Sequence, residues 1–351
     1  MKGMILAAGF GTRFRPATYE IPKPLIPLCN RPLAAWALEA MLADGVREVV
    51  VNLHHLPEML ETWLREHYGA RCDFVFSREE TILGTGGGIR RVREHLDGDG
   101  PFVVANGDTV QQPPFGALAD LCRRDGALAA LLLRYPPAHD RFTKVFFERG
   151  RVTGFGAGTG EALMFAGAHA ISPAVFDLLP DRPFSGITED VYVPAVRAGS
   201  ARLSGMIYDG LWFDIGTPAR YLEASQAVRR RMAGGRVAIP EGSAAVEESI
   251  VASTARVEGR IVESVIGEDA SVAPGATVTG SVVWEGAEIG AGARVRDAIV
   301  GRGVRLPDGA RVRNALVCRR LEGADYSEGI ILAGEAAVAA IRPEDALEYE
   351  P

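Results

Sequence analysis

From about residue 260 onward the chain repeats itself. Ile266, Val283, Val300 and Val317 stand 17 positions apart, as do Val272, Ile289 and Leu306, and again Val278, Val295 and Val312; steps within a repeat are mostly six residues. Isolated apolar residues at this spacing, set among small residues and glycines, match neither the 3.6-residue period of a helix face nor the two-residue period of a long strand. They suit short rungs stacked so that each contributes apolar residues to a shared core. The reading is a left-handed parallel β-helix of hexapeptide-like coils over 235–328, with 329–351 as a C-terminal cap or tail. Such a solenoid offers a surface through which a homo-oligomer can form. No histidine follows His169, so this part lacks the imidazole base expected of an acyltransferase solenoid.

Residues 1–234 follow a different rule, and an Arg- and Gly-containing linker around 229–236 separates the two patterns. Short apolar runs alternate with amphipathic stretches: strands near 4–8, 46–53, 72–76, 102–105 and 128–134, and helices near 32–44, 57–67, 87–96 and 113–124. Asn30 is a candidate cap for the first helix and Gly45 its stop. Phe142 to Phe147 and Arg151 to Phe155 flank Glu148-Arg149-Gly150 as a hairpin, and a further strand covers 163–171. This alternation predicts an α/β fold with an open, mixed but mostly parallel sheet covered by helices.

Three stretches sit where such sheets place ligands, at the carboxyl ends of strands. Leu6-Ala7-Ala8-Gly9-Phe10-Gly11-Thr12-Arg13 leaves the first strand through a Gly-rich turn, with Lys23 following between two prolines. Backbone N–H groups, the Arg13 fork and the compact Lys23 charge suit a polyphosphate; a tight turn is the bland alternative. Gly84-Thr85-Gly86-Gly87-Gly88 is costly to order and makes sense where a base or ribose approaches the backbone, or as an inter-element turn. Asn106-Gly107-Asp108 ends a buried strand in a carboxylate that can reach a polyphosphate or cap a helix. His54 and His55 end the second strand, where adjacent side chains diverge.

The span Gly9-x-Gly11-Thr12-Arg13-x-x-Pro16 with Pro22-Lys23-Pro24 resembles the signature of the sugar-1-phosphate nucleotidyltransferases, the NDP-sugar pyrophosphorylases. The Gly-Asp at 107–108 and Trp212-Phe213-Asp214-Ile215-Gly216-Thr217-Pro218 are similar to that family's two magnesium-binding motifs. The resemblance implies a Rossmann-like nucleotidyltransferase domain over 1–234. It further implies Mg2+ held by Asp108 and Asp214, catalytic roles for Arg13 and Lys23 beside them, and nucleotide contacts from Leu6 to Gly9, Gly11 to Arg13, Lys23, Gly86 and Gly87. Arg141, Lys144, Glu161 and Gly167 fall where the family builds its sugar-phosphate pocket. Here the chain reads Glu161-Ala162-Leu163, where many relatives have Glu-Lys-Pro, so another cation must serve.

The substrates implied are an NTP and a sugar-1-phosphate, with GTP and mannose-1-phosphate as the favoured pair. UTP or dTTP with another hexose- or heptose-1-phosphate stands as the alternative, as does a noncatalytic sugar-nucleotide-binding regulatory subunit. A formal charge of −7, from 45 acidic against 38 basic residues, gives no global attraction to nucleic acid or anionic membrane. Cys29, Cys72, Cys122 and Cys318 are scattered without metal-ligand or disulfide spacing, which fits a reducing, cytoplasmic setting.

Overall fold

The computed structural model describes residues 1–137, 142–324, 326, 329–341 and 348–350. The chain divides into two compact units, one made of Met1–Phe10 with Ala34–Trp212 and the other of Gly11–Leu33 with Phe213–Pro351.

The first unit is built on a nine-stranded sheet. Its strands are β1 (Lys2–Leu6), β2 (Glu48–Leu53), β3 (Asp73–Arg78), β4 (Phe102–Asn106), β5 (Ala129–Arg134), β6 (Lys144–Glu148), β7 (Arg151–Phe155), β8 (Glu161–Ile171) and β9 (Leu203–Ile207). The order across the sheet is β3-β2-β1-β4-β8-β5-β9-β7-β6. Pairings β3/β2, β2/β1, β1/β4 and β5/β9 are parallel. Those of β8 with β4, β5 and β6, and of β7 with β9 and β6, are antiparallel. The sheet is therefore evenly mixed rather than mostly parallel, because the eleven-residue β8 enters reversed between β4 and β5. Met4, Val50, Val104, Leu131, Leu133 and Leu203 belong to its buried core.

Helix α1 (Leu33–Ala43) is apolar almost all round and mostly buried. Helix α2 (Pro57–Tyr68) starts with Pro57 and Glu58, ends near Arg65 and His67, and buries Leu60, Leu64 and Tyr68 at four-residue spacing. The hairpin between β6 and β7 turns through Arg149 and Gly150, both with positive φ, as a two-residue turn requires.

In the second unit the repeat residues form three sheets of eight, four and five strands. The 17-residue period is present as parallel rungs: Val265–Ile266 pairs with Val282–Val283, which pairs with Ile299–Val300. The apolar residues singled out by spacing, from Ile266 to Val317, belong to one buried cluster. Ser249, Ser264 and Ser281 run beside it, each hydroxyl accepting the N–H of the next rung, from Ser264, Ser281 and Ala298, at 3.1–3.2 Å.

The expected left-handed parallel β-helix is corrected: the three sheets are separate and open, none of them closed or strongly curled. The eight-stranded sheet carries antiparallel pairs at both ends, Ser243–Val246 on Ser249–Ala252 and Ala315–Arg319 on Ala336–Ala340. The five-stranded one ends in Glu348–Glu350, antiparallel to Arg311–Arg313. The physical reason lies at the corners. Left-handed backbone recurs at Glu263, Gly280, Asp297 and Asn314, at Asp269, Gly286 and Gly303, and at Gly275, Gly292 and Gly309. Turning is concentrated at these residues, which interrupt the chain into the two- and three-residue strands of the separate sheets.

Helix Pro218–Ala233 and the Gly11–Leu33 segment pack with these repeats. Asn30 has positive φ and, instead of capping α1, donates its side-chain amide to the Ile266 carbonyl (3.0 Å) and the Ser243 hydroxyl (3.2 Å). Arg229, 1% exposed, donates to the Glu248 carbonyl and, at 2.9 Å, to Gln226.

Candidate active site

In the first unit, three adjacent parallel strands end together, because Leu6 stands in register with both Asn52 and Asn106. The β1 exit is fixed by a buried relay. The Ala7 N–H donates to Asn52 Oδ1 at 2.7 Å, Asn52 Nδ2 donates to Glu79 Oε1 at 2.8 Å, and the Leu83 N–H donates to Glu79 Oε2 at 2.9 Å. Glu79 is only 4% exposed, yet both of its oxygens are satisfied. The relay thus joins the Gly9 loop to the start of helix α3 (Gly84–Arg91). His54 Nδ1 bonds the Glu79 carbonyl at 2.7 Å and its ring meets Phe10 edge-on; no base is made of it. Neither Asn52 nor Glu79 was visible as a site residue, since nothing local marks a strand-end amide or one of two successive glutamates as buried.

The glycines here separate into two kinds. At Gly9 a methyl group would meet no atom of the described residues within 4 Å, so none of them demands glycine there. At Gly86 and Gly87 a methyl would lie 2.7 Å from the Ser185 hydroxyl and 2.3 Å from the Pro183 carbonyl, and the N–H groups of both donate to the Ser185 carbonyl. Close packing against 183–187 therefore accounts for these glycines. The helix also begins inside the glycine run, at Gly84, and breaks after Arg91, whereas the sequence predicted it over 87–96.

Gly107 donates its N–H to the Leu6 carbonyl at 2.9 Å, and a side chain there would strike Ile5, which places Asp108 directly beyond the buried end of β4. Gly167 has φ +81° at the irregular point of β8, and a methyl on it would lie 2.7 Å from Asn106 Nδ2. Glu161 opens β8 and accepts the Tyr135 hydroxyl at 2.5 Å, which raises the Tyr135 pKa above its ordinary value. Lys144 opens β6 opposite Met164, while Ala162 faces Phe146. Lys144 is thus the diagonal neighbour of Ala162 on one face of the sheet, a separation that long side chains span. Arg141 lies outside the described residues.

The second unit holds the remaining candidates. Gly11, in left-handed conformation at φ +62°, heads a short turn Thr12–Phe14 and accepts the Thr18 hydroxyl at 2.9 Å. A methyl on Gly11 would lie 2.9 Å from Thr18 and 3.2 Å from Lys23 Cβ, so the loop is folded closely back on itself. Lys23 is 7% exposed. Asp214 precedes the Gly216-Thr217 turn. Thr217 caps the following helix by accepting the Arg220 N–H at 3.3 Å, and the Arg220 guanidinium donates to Asp214 Oδ2 at 3.1 Å. The Cβ direction of Gly216 is flanked by Arg13 and Asp214, each with an atom 3.1 Å away. Sequence reasoning missed Arg220; its signal was position, within the first turn of a helix capped just after Asp214.

The candidate cation ligands are hard carboxylates, and among the described residues no group of three or more His, Cys, Asp or Glu converges. Magnesium is commonly held by one or two carboxylates completed by substrate phosphates, and Asp108 in the first unit and Asp214 in the second are each a carboxylate of that kind. Other nucleophiles are suppressed. Burial raises the thiol of Cys29 to about 12 and those of Cys72 and Cys122 to about 11, and lowers His169 to about 3. Among the described residues no helix is long and apolar enough to cross a membrane.

A family model described as nucleotidyl transferase matches residues 2–231, and one described as GlmU-like, C-terminal hexapeptide matches 237–318. The chain is 32% identical over 235 residues to a Candida albicans protein named mannose-1-phosphate guanyltransferase, covering 64% of each. It is 30% identical over 294 residues to an Oryza sativa protein named probable mannose-1-phosphate guanylyltransferase 3, covering 79% of this chain and 78% of that one. The match to the Candida protein spans slightly less than two thirds of that relative's length. Among solved structures, HddC from Yersinia pseudotuberculosis superposes with a TM-score of 0.54 at 19% identity, covering 65% of this chain and 99% of that one, a likeness of fold. With the matched region carrying both aspartate motifs and the Gly9–Arg13 loop, the chain belongs to the nucleotidyl transferase family, among the sugar-1-phosphate nucleotidyltransferases that carry a hexapeptide C-terminal part and are related to mannose-1-phosphate guanylyltransferases.

Proposed function

We propose that the protein transfers a nucleoside monophosphate from an NTP to a sugar-1-phosphate, with GTP and mannose-1-phosphate as the favoured pair. The observation that carries the reading is Gly9. It follows β1, an inner strand of the sheet, its side-chain direction is open, and none of the described residues requires glycine there. Close approach of a ligand to the backbone supplies the missing reason. The mannose-1-phosphate guanylyltransferase names of the relatives support the choice of base and sugar.

In the proposed step, an anionic oxygen of the sugar-1-phosphate attacks the α-phosphorus. The new P–O bond forms as the bond to the β-phosphate oxygen breaks, and pyrophosphate leaves with that electron pair. No proton has to be removed from the attacking oxygen, so no histidine base is needed. Arg13 and Lys23 neutralise the polyphosphate, and the buried position of Lys23 strengthens its effect by excluding water. Lys144, diagonal to Ala162, supplies the positive charge that relatives draw from a lysine at that position, while Glu161 accepts a sugar hydroxyl. Asp108 and Asp214 are the residues that would hold magnesium, which would supply charge neutralisation at the phosphates.

The test is pyrophosphate release with magnesium across a matrix of NTPs and sugar-1-phosphates, with product masses read in the same wells. GTP with mannose-1-phosphate is expected to give the largest signal. Asp108→Asn and Asp214→Asn are each expected to lower kcat/KM by about a hundredfold or more, the scale of losing one charge-stabilising group. Specific nucleotide or NDP-sugar binding without turnover in any well would instead establish the regulatory-subunit reading.

A further inference from the structure

The Trp284 indole lies in the repeats, 3% exposed, and donates its N–H to the Tyr221 hydroxyl at 2.8 Å. Tyr221 is fully buried in helix Pro218–Ala233 and donates its own proton to the Pro27 carbonyl at 2.5 Å. The hydroxyl therefore accepts from the indole and donates to a backbone carbonyl, which fixes its direction. The same ring takes Phe14 edge-on at 5.5 Å and Trp284 edge-on at 6.0 Å. Phe14 follows Arg13, Pro27 follows the Lys23–Leu25 turn, and the Tyr221 N–H closes on the Thr217 carbonyl at 2.9 Å, three residues after Asp214.

Two pieces of the proposed phosphate machinery, the Arg13 turn through Phe14 and the Lys23 turn through Pro27, thus converge on one side chain that a residue of the repeats holds in place, on a helix that is capped three residues after Asp214. The rest of the loop is tied to the repeats as well, through Asn30 to Ile266 and through Glu20, which accepts Arg319 at 2.9 Å. Such fastening exceeds what covering a helix requires. Burial alone would have been met by phenylalanine at 221 and leucine at 284, without two buried polar atoms that need each other.

We propose that Tyr221 and Trp284 are positioning residues through which the repeat part sets the geometry of the Arg13 and Lys23 loops, making the repeats a working part of NTP binding. The inference rests on the nucleotidyl-transfer reading for its kinetic consequence, but its structural consequence can be read separately. Trp284→Phe keeps an aromatic ring and removes the N–H donor; Tyr221→Phe removes the hydroxyl. In the full-length protein each is expected to raise the NTP KM by about tenfold, the scale of one buried hydrogen bond, with the sugar-1-phosphate KM unchanged. The double variant should be no worse than Tyr221→Phe alone, because the two share one interaction.

Ser281→Ala is the control, since it weakens a repeat rung through the Ala298 contact without touching the helix; it should lower Tm and leave the NTP KM alone. Amide hydrogen exchange over residues 11–28 supplies the readout that needs no catalysis, and it should quicken in Trp284→Phe and not in Ser281→Ala. If the wild type turns over no substrate pair but exchange quickens in this pattern, the nucleotidyl-transfer reading fails and the positioning role stands. If Trp284→Phe lowers Tm yet leaves both the NTP KM and the exchange of 11–28 at wild-type values, the proposal is overturned.

Discussion

A methyl group placed on Gly87 in the α/β unit would lie 2.3 Å from a carbonyl nearly a hundred residues away, whereas one placed on Gly292 or Gly309 in the repeats would meet nothing within 4 Å. The repeat glycines are needed for their own backbone, with φ of +67° and +75°; Gly87 is needed for its neighbour. The contrast describes how each unit is specified. In the repeats, instructions are local and recur with the period, so a corner is written into the residue that makes it. In the α/β unit they are non-local, and a residue's identity is settled by what the fold brings against it.

The sharpest way to break this comparison is substitution at the two kinds of glycine. Gly87→Ala is expected to cost about 3 kcal/mol, at the upper end of overpacking, because the opposing atom is backbone and cannot swing away. Gly292→Ala should cost about 1 to 2 kcal/mol, the left-handed backbone penalty. Asparagine separates the causes. It tolerates left-handed backbone, so Gly292→Asn should recover part of the loss, while Gly87→Asn should be worse than alanine. Urea unfolding of the four variants measures all of this, and recovery at 87 but not at 292 would invert the account.

Acid should expose the same division. Burial lowers His169 to about 3 from its ordinary 6.5, with Nδ1 bonded to the Tyr192 hydroxyl at 2.9 Å. The native state keeps this imidazole neutral while the unfolded chain takes up a proton below about 6.5, so the unfolded state binds more protons and stability falls with pH through that window. The limiting slope is about 1.4 kcal/mol per pH unit. The repeats contain no histidine, so unfolding followed between pH 6.5 and 5 by the near-ultraviolet signal of the α/β unit should shift earlier than that of Trp284. His169→Gln should flatten the dependence, and an unchanged slope would remove His169 as its source. The smallest effect belongs to the charged ladder on the exposed side of the repeats: Arg305, 76% exposed and 3.1 Å from Glu288, should be replaceable by alanine within about 0.5 kcal/mol.

What could be read from sequence follows the same line. The buried positions of the repeats were legible because Ile266, Val283, Val300 and Val317 announce them by spacing. The closed β-helix was not obtained, because spacing fixes which residues turn inward and leaves open whether the faces between corners curl. In the α/β unit the alternation gave strands and helices nearly at their observed limits, but not the reversed entry of β8, which no local pattern encodes. Asp108 and Asp214 were singled out by motif. Glu79 and Arg220 were not, because their meaning comes from Asn52 and Leu83 in one case and from Asp214 in the other.

The division of the chain has a consequence for the order of its manufacture. Strand β1 is made first among its sheet partners, yet it is paired on both sides and must wait until residue 106 has left the ribosome before its second neighbour exists. Residues 11–33 wait far longer, because the unit to which they belong is completed only by residues beyond 213. The α/β unit is complete once residue 212 has emerged and can close ahead of the repeats, but residues 11–33 cannot settle with it, and a nascent chain halted before residue 284 would carry its phosphate loop without the indole that holds Tyr221.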